Sequence, residues 1–488
     1  MNRFSVSVFG ALLSSATFAG GPALPDVFAP GSLVLFQGDS VTSGGRGGDM
    51  NHYLGHGYQW AIASRYMAYR PDLNLQFVNR AVSGETSSNL VARWSADCTS
   101  LVVKTTGYGG AFGVRTPYAR TPDFVSILIG INDYLCGGAK FVPVDRYESN
   151  LCFMVTNTLA ANPKARIVLA EPFRLPLDAS PDFCARQAAV ARVALRYGLP
   201  CVPFQRLFGE TLLCEQGNPR YWIWDSCHPT PAAHARMADF WIDFVGRYYA
   251  APPTNTALIP QGRLERDSYD WYARHAKIVR EQVKMDPEVV LIGDSITHFW
   301  TGRHKEGRLS VGAPEESSEC FRRTFGAYRT LDMGFGWDRI QNVLWRLDHG
   351  EMDGVRPKAV VVHIGTNNTT GGHARPNTAE EIAEGIVEVC RRVREKAPAA
   401  KIVLMAVFPR GRADCRGGQI GKINSALTKL VTSLGDGNLV FLDIGERFVD
   451  EKGCIRKDLM FDGLHPTDKG YDVWGEELGS YLKEACGH

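Results

Sequence analysis

The 488-residue chain lacks both a long apolar run and a strong excess of charge of one sign. None of its apolar stretches approaches the roughly 18 residues that cross a bilayer, so we expect no integral membrane segment. The formal net charge is only +2, which argues against a basic surface and against nucleic acid as the main partner. No two of the twelve cysteines have CxxC spacing, so neither a zinc site nor a redox site of that kind is predicted.

Residues 1–20 have the composition of a secretory signal peptide. One positive charge precedes a mostly apolar stretch from Phe4 to Phe18, and Ala19 follows it. This pattern predicts a secreted or periplasmic protein, whereas the alternative is an unstructured N-terminal arm. Export would permit disulfides, for instance among the cysteines of the first half, but the sequence does not reveal a pairing. Buried free thiols are the alternative.

A segment rich in Pro, Thr and Asn, "APPTNTALIP", divides the remainder into two parts. We therefore predict a first domain over residues 25–250, a linker over residues 251–260 and a second domain over residues 261–488. In each part, short strands rich in Val, Ile and Leu alternate with longer amphipathic helices. This alternation predicts two tandem α/β domains, each with a parallel central sheet covered by helices on both faces.

Four motifs recur in the same order in both parts. They are "GDS" after the first strand, a glycine-rich stretch after the second, "GIND" or "GTNN" after the third, and "DSCHPT" or "DGLHPT" before the last helix. A serine at a strand end needs a base to become a nucleophile. An aspartate three residues before a histidine can orient the imidazole for that task. The glycine-rich turn and the asparagine can supply N–H donors to an oxyanion.

The spacing of these motifs indicates a duplication. Asp225 and Asp462 are 237 positions apart, and Asn132 and Asn367 are 235 positions apart. Each motif is weak by itself, but an ordered set of four that occurs twice is specific. Neither serine lies in a G-x-S-x-G nucleophile elbow, which disfavours the common α/β-hydrolase fold.

The four motifs together resemble those of the SGNH, or GDSL, hydrolases, and the resemblance extends over nearly all of both parts. The first part, with "FQGDSVT" and "VSILIGIND", is similar to bacterial GDSL esterases near the carbohydrate acetylesterases. The second part, with "VVLIGDSITHFW" and "VVHIGTNN", is similar to the catalytic subunits of platelet-activating-factor acetylhydrolase. The resemblance implies two tandem three-layer α/β/α domains of flavodoxin-like architecture.

The resemblance also implies the site residues. At the first site Ser40 would be the nucleophile, His228 the base and Asp225 its orienting partner, with Gly84 and Asn132 as oxyanion donors.

At the second site the same roles would fall to Ser295, His465, Asp462 and Asn367, while the family's oxyanion glycine falls on Trp337. A backbone N–H does not require glycine, so the donor can persist, and the indole could wall the acyl pocket. An ordinary aromatic wall is the alternative reading of Trp337.

We thus expect an esterase that removes short acyl groups, acetyl above all, from O-acetylated polysaccharides or oligosaccharides such as xylan. We expect no cofactor and no metal, and the sequence does not indicate the oligomeric state. One alternative is a lysophospholipase or broad lipid esterase. Another is one catalytic SGNH domain combined with one glycan-binding SGNH-like domain.

Overall fold

The computed structural model describes residues 23–47, 53–103, 118–175, 177–214, 217–302, 318–411 and 418–487. The predicted signal peptide, residues 1–20, lies outside the described residues. Within the described ranges no helix combines the length and apolar character that crossing a membrane requires. The ten cysteines whose side chains are described are free thiols, and six of them are buried, which for those six corresponds to the second of the two alternatives.

The first half contains a five-stranded parallel sheet with the order β2-β1-β5-β6-β7 and a two-stranded antiparallel ribbon, β3-β4. Its strands are β1 (Leu33–Gly38), β2 (Gln76–Asn79), β3 (Val102–Val103), β4 (Tyr118–Ala119), β5 (Phe124–Leu128), β6 (Arg166–Ala170) and β7 (Cys201–Val202). Its helices are α1 (Ser40–Ser43), α2 (Tyr58–Tyr69), α3 (Ser87–Trp94), α4 (Ile131–Leu135), α5 (Val144–Ala161), α6 (Pro181–Tyr197), α7 (Phe204–Cys214), α8 (Pro219–Trp222) and α9 (Pro231–Ala250).

The second half repeats this arrangement with the order β9-β8-β10-β11-β12, all parallel. Its strands are β8 (Val289–Gly293), β9 (Thr330–Gly334), β10 (Ala359–His363), β11 (Lys401–Met405) and β12 (Leu439–Leu442). Its helices are α10 (Trp271–Met285), α11 (Ser295–His298), α12 (Glu319–Phe325), α13 (Ile340–Asp348), α14 (Ala379–Lys396), α15 (Gln419–Leu434) and α16 (Asp468–Cys486).

Both sheets have the strand order 2-1-3-4-5 of the flavodoxin-like fold. Strands β1, β5, β8 and β10 are buried along their whole length, because helices cover both faces of each sheet. Separate apolar clusters fill the two faces of each sheet. The predicted fold class, two tandem α/β/α domains with parallel sheets, is confirmed.

The two halves share a buried interface between α6 and α10. Cys184 and Ala188 of α6 belong to the same apolar cluster as Trp271 and Tyr272 of α10. Glu171, which follows β6, lies near this interface.

A buried polar contact adds to this interface. The Glu171 Oε2 atom lies 3.0 Å from Nε2 of His349 in the second half, and both residues are buried. The predicted linker, residues 251–260, also docks on the second half, because the Asn255 side chain donates to the carbonyl of Glu381 on α14. The limits of the two domains stay a prediction.

Candidate active sites

The turn after β1 presents Ser40 at the carboxyl end of the sheet. Gly38 is required there because a Cβ atom would lie 2.2 Å from the carbonyl oxygen of Leu128 on β5. Asp39 caps the short helix α1, since its Oδ1 accepts the N–H of Val41 at 3.1 Å. Burial raises the pKa of the Asp39 carboxyl to about 7. These contacts fix the backbone on both sides of Ser40.

Ser40 faces a histidine from the loop before α9. Its Oγ lies 2.8 Å from Nε2 of His228, and Nδ1 of His228 lies 2.6 Å from Oδ2 of Asp225. A carboxylate at Nδ1 selects the tautomer with the proton on that nitrogen, so Nε2 faces the hydroxyl as an acceptor. The structure therefore brings together all three residues that the motifs of the first half predict.

The Asp225 carboxyl is held in its ionised form. Desolvation opposes ionisation, but hydrogen bonds from the N–H of Cys227, the imidazole of His228 and the N–H of His228 outweigh it. As a result the pKa of Asp225 is held well below its usual range. An ionised carboxylate stabilises the imidazolium that forms when His228 takes a proton.

The second half builds the same arrangement. Ser295 Oγ lies 2.9 Å from Nε2 of His465, whose Nδ1 lies 2.7 Å from Oδ2 of Asp462. Asp294 caps α11 by accepting the N–H of Ile296 at 2.9 Å. Desolvation again opposes ionisation of Asp462, but hydrogen bonds from the backbone and the side chain of His465 lower the pKa of the carboxyl.

The glycine-rich turns place Gly84 and Trp337 in the same backbone conformation. Their φ angles are +78° and +64°, both in the left-handed region. In the first half the Asn132 side-chain amide donates to the carbonyl of Glu85 at 2.9 Å. In the second half Asn367 donates to the carbonyl of Asp338 at 2.9 Å. Each turn is thus fastened to the asparagine at the end of the third strand of its sheet.

A second hydrogen bond holds each of these turns, and the residue that accepts it was not singled out from the sequence. The residue after each asparagine, Asp133 or Asn368, accepts a backbone N–H at the start of the helix that follows the turn. Asp133 binds the N–H of Ser87 at 2.8 Å, and Asn368 Oδ1 binds the N–H of Ile340 at 2.9 Å. The signal was present in the sequence, as the fourth residue of "GIND" and "GTNN".

The two sites differ in their exposure to solvent. The His228 side chain is 44% exposed, whereas that of His465 is only 15% exposed. The rings of Phe299 and Phe461 flank the imidazole of His465, with centroids 4.9 and 5.9 Å away. The first half has Gly44 at the position of Phe299. The first site is therefore the more open of the two.

An exposed aromatic pair lies beside the first site. Trp224 immediately precedes Asp225 and is 69% exposed, and Tyr221 at the end of α8 is also exposed. The N–H of Trp224 donates to the carbonyl of His228 at 2.9 Å, so the loop that holds the histidine also holds this indole. In the second half Trp337, which lies on the oxyanion turn, is 55% exposed.

Asp225, Cys227 and His228 also place possible metal-ligand atoms within 4.8 Å of one another. Two of these residues already hold each other through the hydrogen bond between Nδ1 and Oδ2. A metal ion bound there would replace the contact that orients the imidazole. The residues therefore fit the orienting role better than a metal site, and the expectation of a metal-free protein stays a prediction.

A flavodoxin-like sheet with a serine after its first strand, and with an aspartate and a histidine before its last helix, defines the SGNH class of hydrolases. The comparison with protein families agrees. The GDSL-like Lipase/Acylhydrolase family matches residues 36–236 and 291–473, and the chain belongs to this family. It contains two tandem SGNH domains and is a carboxylic ester hydrolase.

Individual relatives each align with a little less than half of the chain. Platelet-activating factor acetylhydrolase IB subunit alpha2 from Rattus norvegicus is 32% identical over 220 residues, 45% of this chain and 86% of that protein. The human alpha1 subunit is 34% identical over 214 residues, 43% of this chain and 82% of that protein.

The solved structures that the chain resembles also align with a little less than half of it. A putative GDSL-like lipase from Parabacteroides merdae is 28% identical and covers 46% of this chain and 99% of its own, with a TM-score of 0.38. An acetylxylan esterase from Geobacillus stearothermophilus is 28% identical and covers 45% of this chain and 95% of its own, with a TM-score of 0.36.

Proposed function

We propose that the protein is a serine esterase with two catalytic sites, and that both remove acetyl groups from O-acetylated carbohydrates. The observation that carries this proposal is the pair of hydrogen-bonded Ser–His–Asp arrangements, one in each half. This geometry supplies a nucleophile, a base within reach of its proton and a carboxylate that orients the base.

At the first site the reaction begins with transfer of the Ser40 hydroxyl proton to Nε2 of His228 while Oγ attacks the acetyl carbonyl. The oxyanion that forms accepts hydrogen bonds from the N–H of Ser40, the N–H of Gly84 and the Asn132 amide. His228 then protonates the sugar oxygen as the ester bond breaks. Water, deprotonated by His228, attacks the acetyl-serine. His228 then returns this proton to Oγ of Ser40 as the bond to the acetyl group breaks, and acetic acid leaves.

The second site runs the same steps with Ser295, His465 and Asp462. Trp337 contributes its backbone N–H in the place of Gly84, and Asn367 contributes its amide. An amide carries two N–H bonds, so each asparagine can fasten its turn with one and face the oxyanion with the other.

The choice of acyl group and alcohol rests on separate observations. Relatives that are named acetylhydrolases support acetyl as the group removed. The exposed Trp224 and Tyr221 support a ring-shaped partner at the first site, because exposed aromatic surface beside a catalytic loop is typical of a binding face. The leader-like residues 1–20 support export, which would bring the enzyme to polymeric glycans outside the cytoplasm.

A phospholipid acetyl ester is a second candidate for the second site. Phe299 and Phe461 beside His465 form an apolar surround, and relatives with the same family motifs are named for platelet-activating factor. An enzyme of broad lipid specificity would in addition hydrolyse long-chain esters. A comparison of p-nitrophenyl esters with acyl chains of about 2 to 12 carbons separates these readings.

The test is acetate release from acetylated xylan, pectin and mucin-type glycans by the full chain and its serine variants. Ser40→Ala and Ser295→Ala should each abolish a different part of the activity, and the double variant should release no acetate. Ser149→Ala and Ser433→Ala are matched controls, because both are exposed helix serines that bond only to their own helices.

Three outcomes would contradict the proposal. If the double variant retained the full activity, neither serine would be a nucleophile. If one single variant equalled the wild type on every substrate, that half would be a glycan-binding or structural module. If long-chain esters were preferred, the enzyme would be a lipid esterase.

A further inference from the structure

A cavity of about 440 Å³ adjoins the oxyanion turn of the first site. One wall is the turn itself, which includes Gly84 and Glu85. The other wall is the segment that leads into α5, with Lys140 and Phe141, and the first turn of α5, with Arg146. The cavity therefore shares Gly84 with the oxyanion turn, and Ser40 and His228 do not line it.

The two walls of this cavity are fixed to each other and to the site. The N–H of Val142 donates to the carbonyl of Asp133 at 3.1 Å, and Asp133 also holds the start of α3. The Asn150 amide on α5 donates to the hydroxyls of Ser87 and Ser88 on α3. The basic segment thus keeps a set position relative to Gly84.

The cavity has an unbalanced positive charge. Neither the Lys140 ammonium nor the Arg146 guanidinium has an ion pair with any residue that the structure describes. The carboxylate on the opposite wall, Glu85, is already paired with Arg93. Asp145, in the first turn of α5, is the acidic residue nearest in sequence to Arg146, and it is exposed.

A third cation lies behind the wall. The Arg186 guanidinium is fully buried, with its carbon 5.1 Å from the centroid of the Phe141 ring. Its Nε contacts Asp182 at 2.9 Å, but its two terminal nitrogens have no hydrogen-bond partner in the described part of the chain. The ion pair with Asp182 balances the charge of Arg186, so the positive charge of the cavity comes from Lys140 and Arg146.

Two cations at the second site are paired within the protein. In the segment before α14, the counterpart of the segment before α5, Arg375 forms an ion pair with Glu381. Beside Trp337, the Arg339 side chain contacts Glu265 at 3.4 Å. Arg375 and Arg339 are therefore each neutralised by a carboxylate of the protein.

We infer that the cavity lined by Gly84, Lys140 and Arg146 binds an anionic sugar unit of the substrate, and that the first site acts on acetyl esters of acidic glycans. The inference rests on the proposed function and names the substrate class of its first site. A sugar carboxylate or sulfate placed between Lys140 and Arg146 gains two charge-assisted contacts that a neutral sugar lacks.

The activity test uses the full chain with Ser295→Ala, so that only the first site contributes. Acetate release is compared between acetylated galacturonan oligosaccharides and acetylated neutral xylo-oligosaccharides. We expect the anionic substrate to have the higher kcat/KM, and this preference to shrink as NaCl is raised. Lys140→Gln with Arg146→Gln should lower the anionic-to-neutral ratio about tenfold, as two partly exposed charge contacts are lost. Lys164→Gln, an exposed lysine outside the cavity, is the matched control and should leave the ratio unchanged.

A binding test separates this inference from the proposed function. The full chain with Ser40→Ala and Ser295→Ala is titrated with sodium D-glucuronate, D-glucose 6-sulfate and D-glucose, and binding is followed by calorimetry. Glucuronate or the sulfate should bind more tightly than glucose, and the substitutions at Lys140 and Arg146 should remove the difference. The comparison of the two anions tells carboxylate from sulfate.

The outcomes are distinct. If the anionic-to-neutral ratio and the binding of both anions are the same with and without Lys140 and Arg146, the inference is wrong while the acetylesterase function stands. If no substrate releases acetate but the anions bind through the two cations, the anionic subsite stands and the proposed function fails.

Discussion

Gly84 and Trp337 occupy equivalent turns with left-handed backbones, and in each the next residue accepts a hydrogen bond from an asparagine that follows the third strand of its sheet. Glycine adopts this conformation freely, whereas a bulky side chain there is a genuine outlier. A tryptophan that is held in this conformation and is still 55% exposed indicates a position where the strain is retained for a purpose.

The strain gives a stability prediction. Trp337→Gly should be more stable than Trp337→Ala by about 1 kcal/mol, because only the alanine variant retains the conformational strain of a positive φ angle. Gly84→Ala should cost a similar amount, since a Cβ there meets no atom within 4 Å and only the backbone conformation opposes it. Urea unfolding of the three variants measures both differences. Equal stabilities of the two Trp337 variants would show that the turn relaxes without strain.

Replacement of the orienting aspartates tests the tautomer of each histidine. In Asp225→Asn the amide oxygen can still accept the N–H groups of Cys227 and His228, while the amide nitrogen then faces Nδ1. This arrangement favours the wrong tautomer, so kcat of the first site should fall on the order of 10³-fold with KM little changed. Asp462→Asn should do the same at the second site.

Each variant is measured with p-nitrophenyl acetate in a chain whose other serine is alanine. Asp243→Asn, an exposed acid on α9, serves as the control. A loss that appears mainly in KM would contradict the orienting role.

Asp39 makes stability fall with rising pH. Burial raises the pKa of its carboxyl to about 7 in the folded protein, above the value of 3.8 without burial. The folded state therefore binds the proton more tightly, and the carboxyl destabilises the fold increasingly as pH rises from about 4 to about 7. Asp39→Asn keeps an oxygen for the N–H of Val41, so its Tm gain over the wild type should be larger at pH 8 than at pH 4.

The control substitution, Asp72→Asn, should change stability with pH in the opposite direction. The hydrogen bond from Arg70 lowers the pKa of Asp72, so Asp72→Asn should lose stability relative to the wild type as pH rises. A Tm difference for Asp39→Asn that does not change between pH 4 and pH 8 would be inconsistent with the raised pKa.

The stabilisation that His349 gives to the interface between the halves should decrease as pH rises. Burial lowers the pKa of His349, but the carboxylate of Glu171, with smaller contributions from the carbonyl of Trp345 and from Asp348, outweighs it and raises the pKa above 6.5. The stabilisation is therefore fully present below pH 6.5 and is lost as pH rises through the folded-state pKa. His349→Gln should lower Tm more at pH 5.5 than at pH 9. The control is His373→Gln, an exposed histidine of the second half.

Much of the fold could be predicted because both sheets are buried on two faces. Strands such as Val289–Gly293 read as unbroken apolar runs, so their alternation with amphipathic helices was visible in the sequence. The ribbon of Val102–Val103 and Tyr118–Ala119 was not expected. Its two strands are two residues each and have no alternating pattern to recognise.

The sites were predictable to the extent that each motif residue is adjacent to a strand end. The carboxyl ends of parallel strands share an edge, so ordered motifs at those ends converge. The unequal exposure of the two histidines was not predictable, because it depends on how the rings of Phe299 and Phe461 pack against His465 in the folded chain. The contact between Glu171 and His349 was hidden for a similar reason, since nothing local relates residues 178 positions apart.

The shared interface has a consequence for how such a tandem chain can change over evolutionary time. Cys184 and Ala188 complete the apolar cluster around Trp271, and the Glu171 carboxyl is buried against His349. A gene that lost either copy would leave the other with bare apolar surface and an unmatched buried polar group. The halves have ceased to be interchangeable modules, and new specificity in this chain has to arise by substitution within each copy rather than by deletion or shuffling of whole domains.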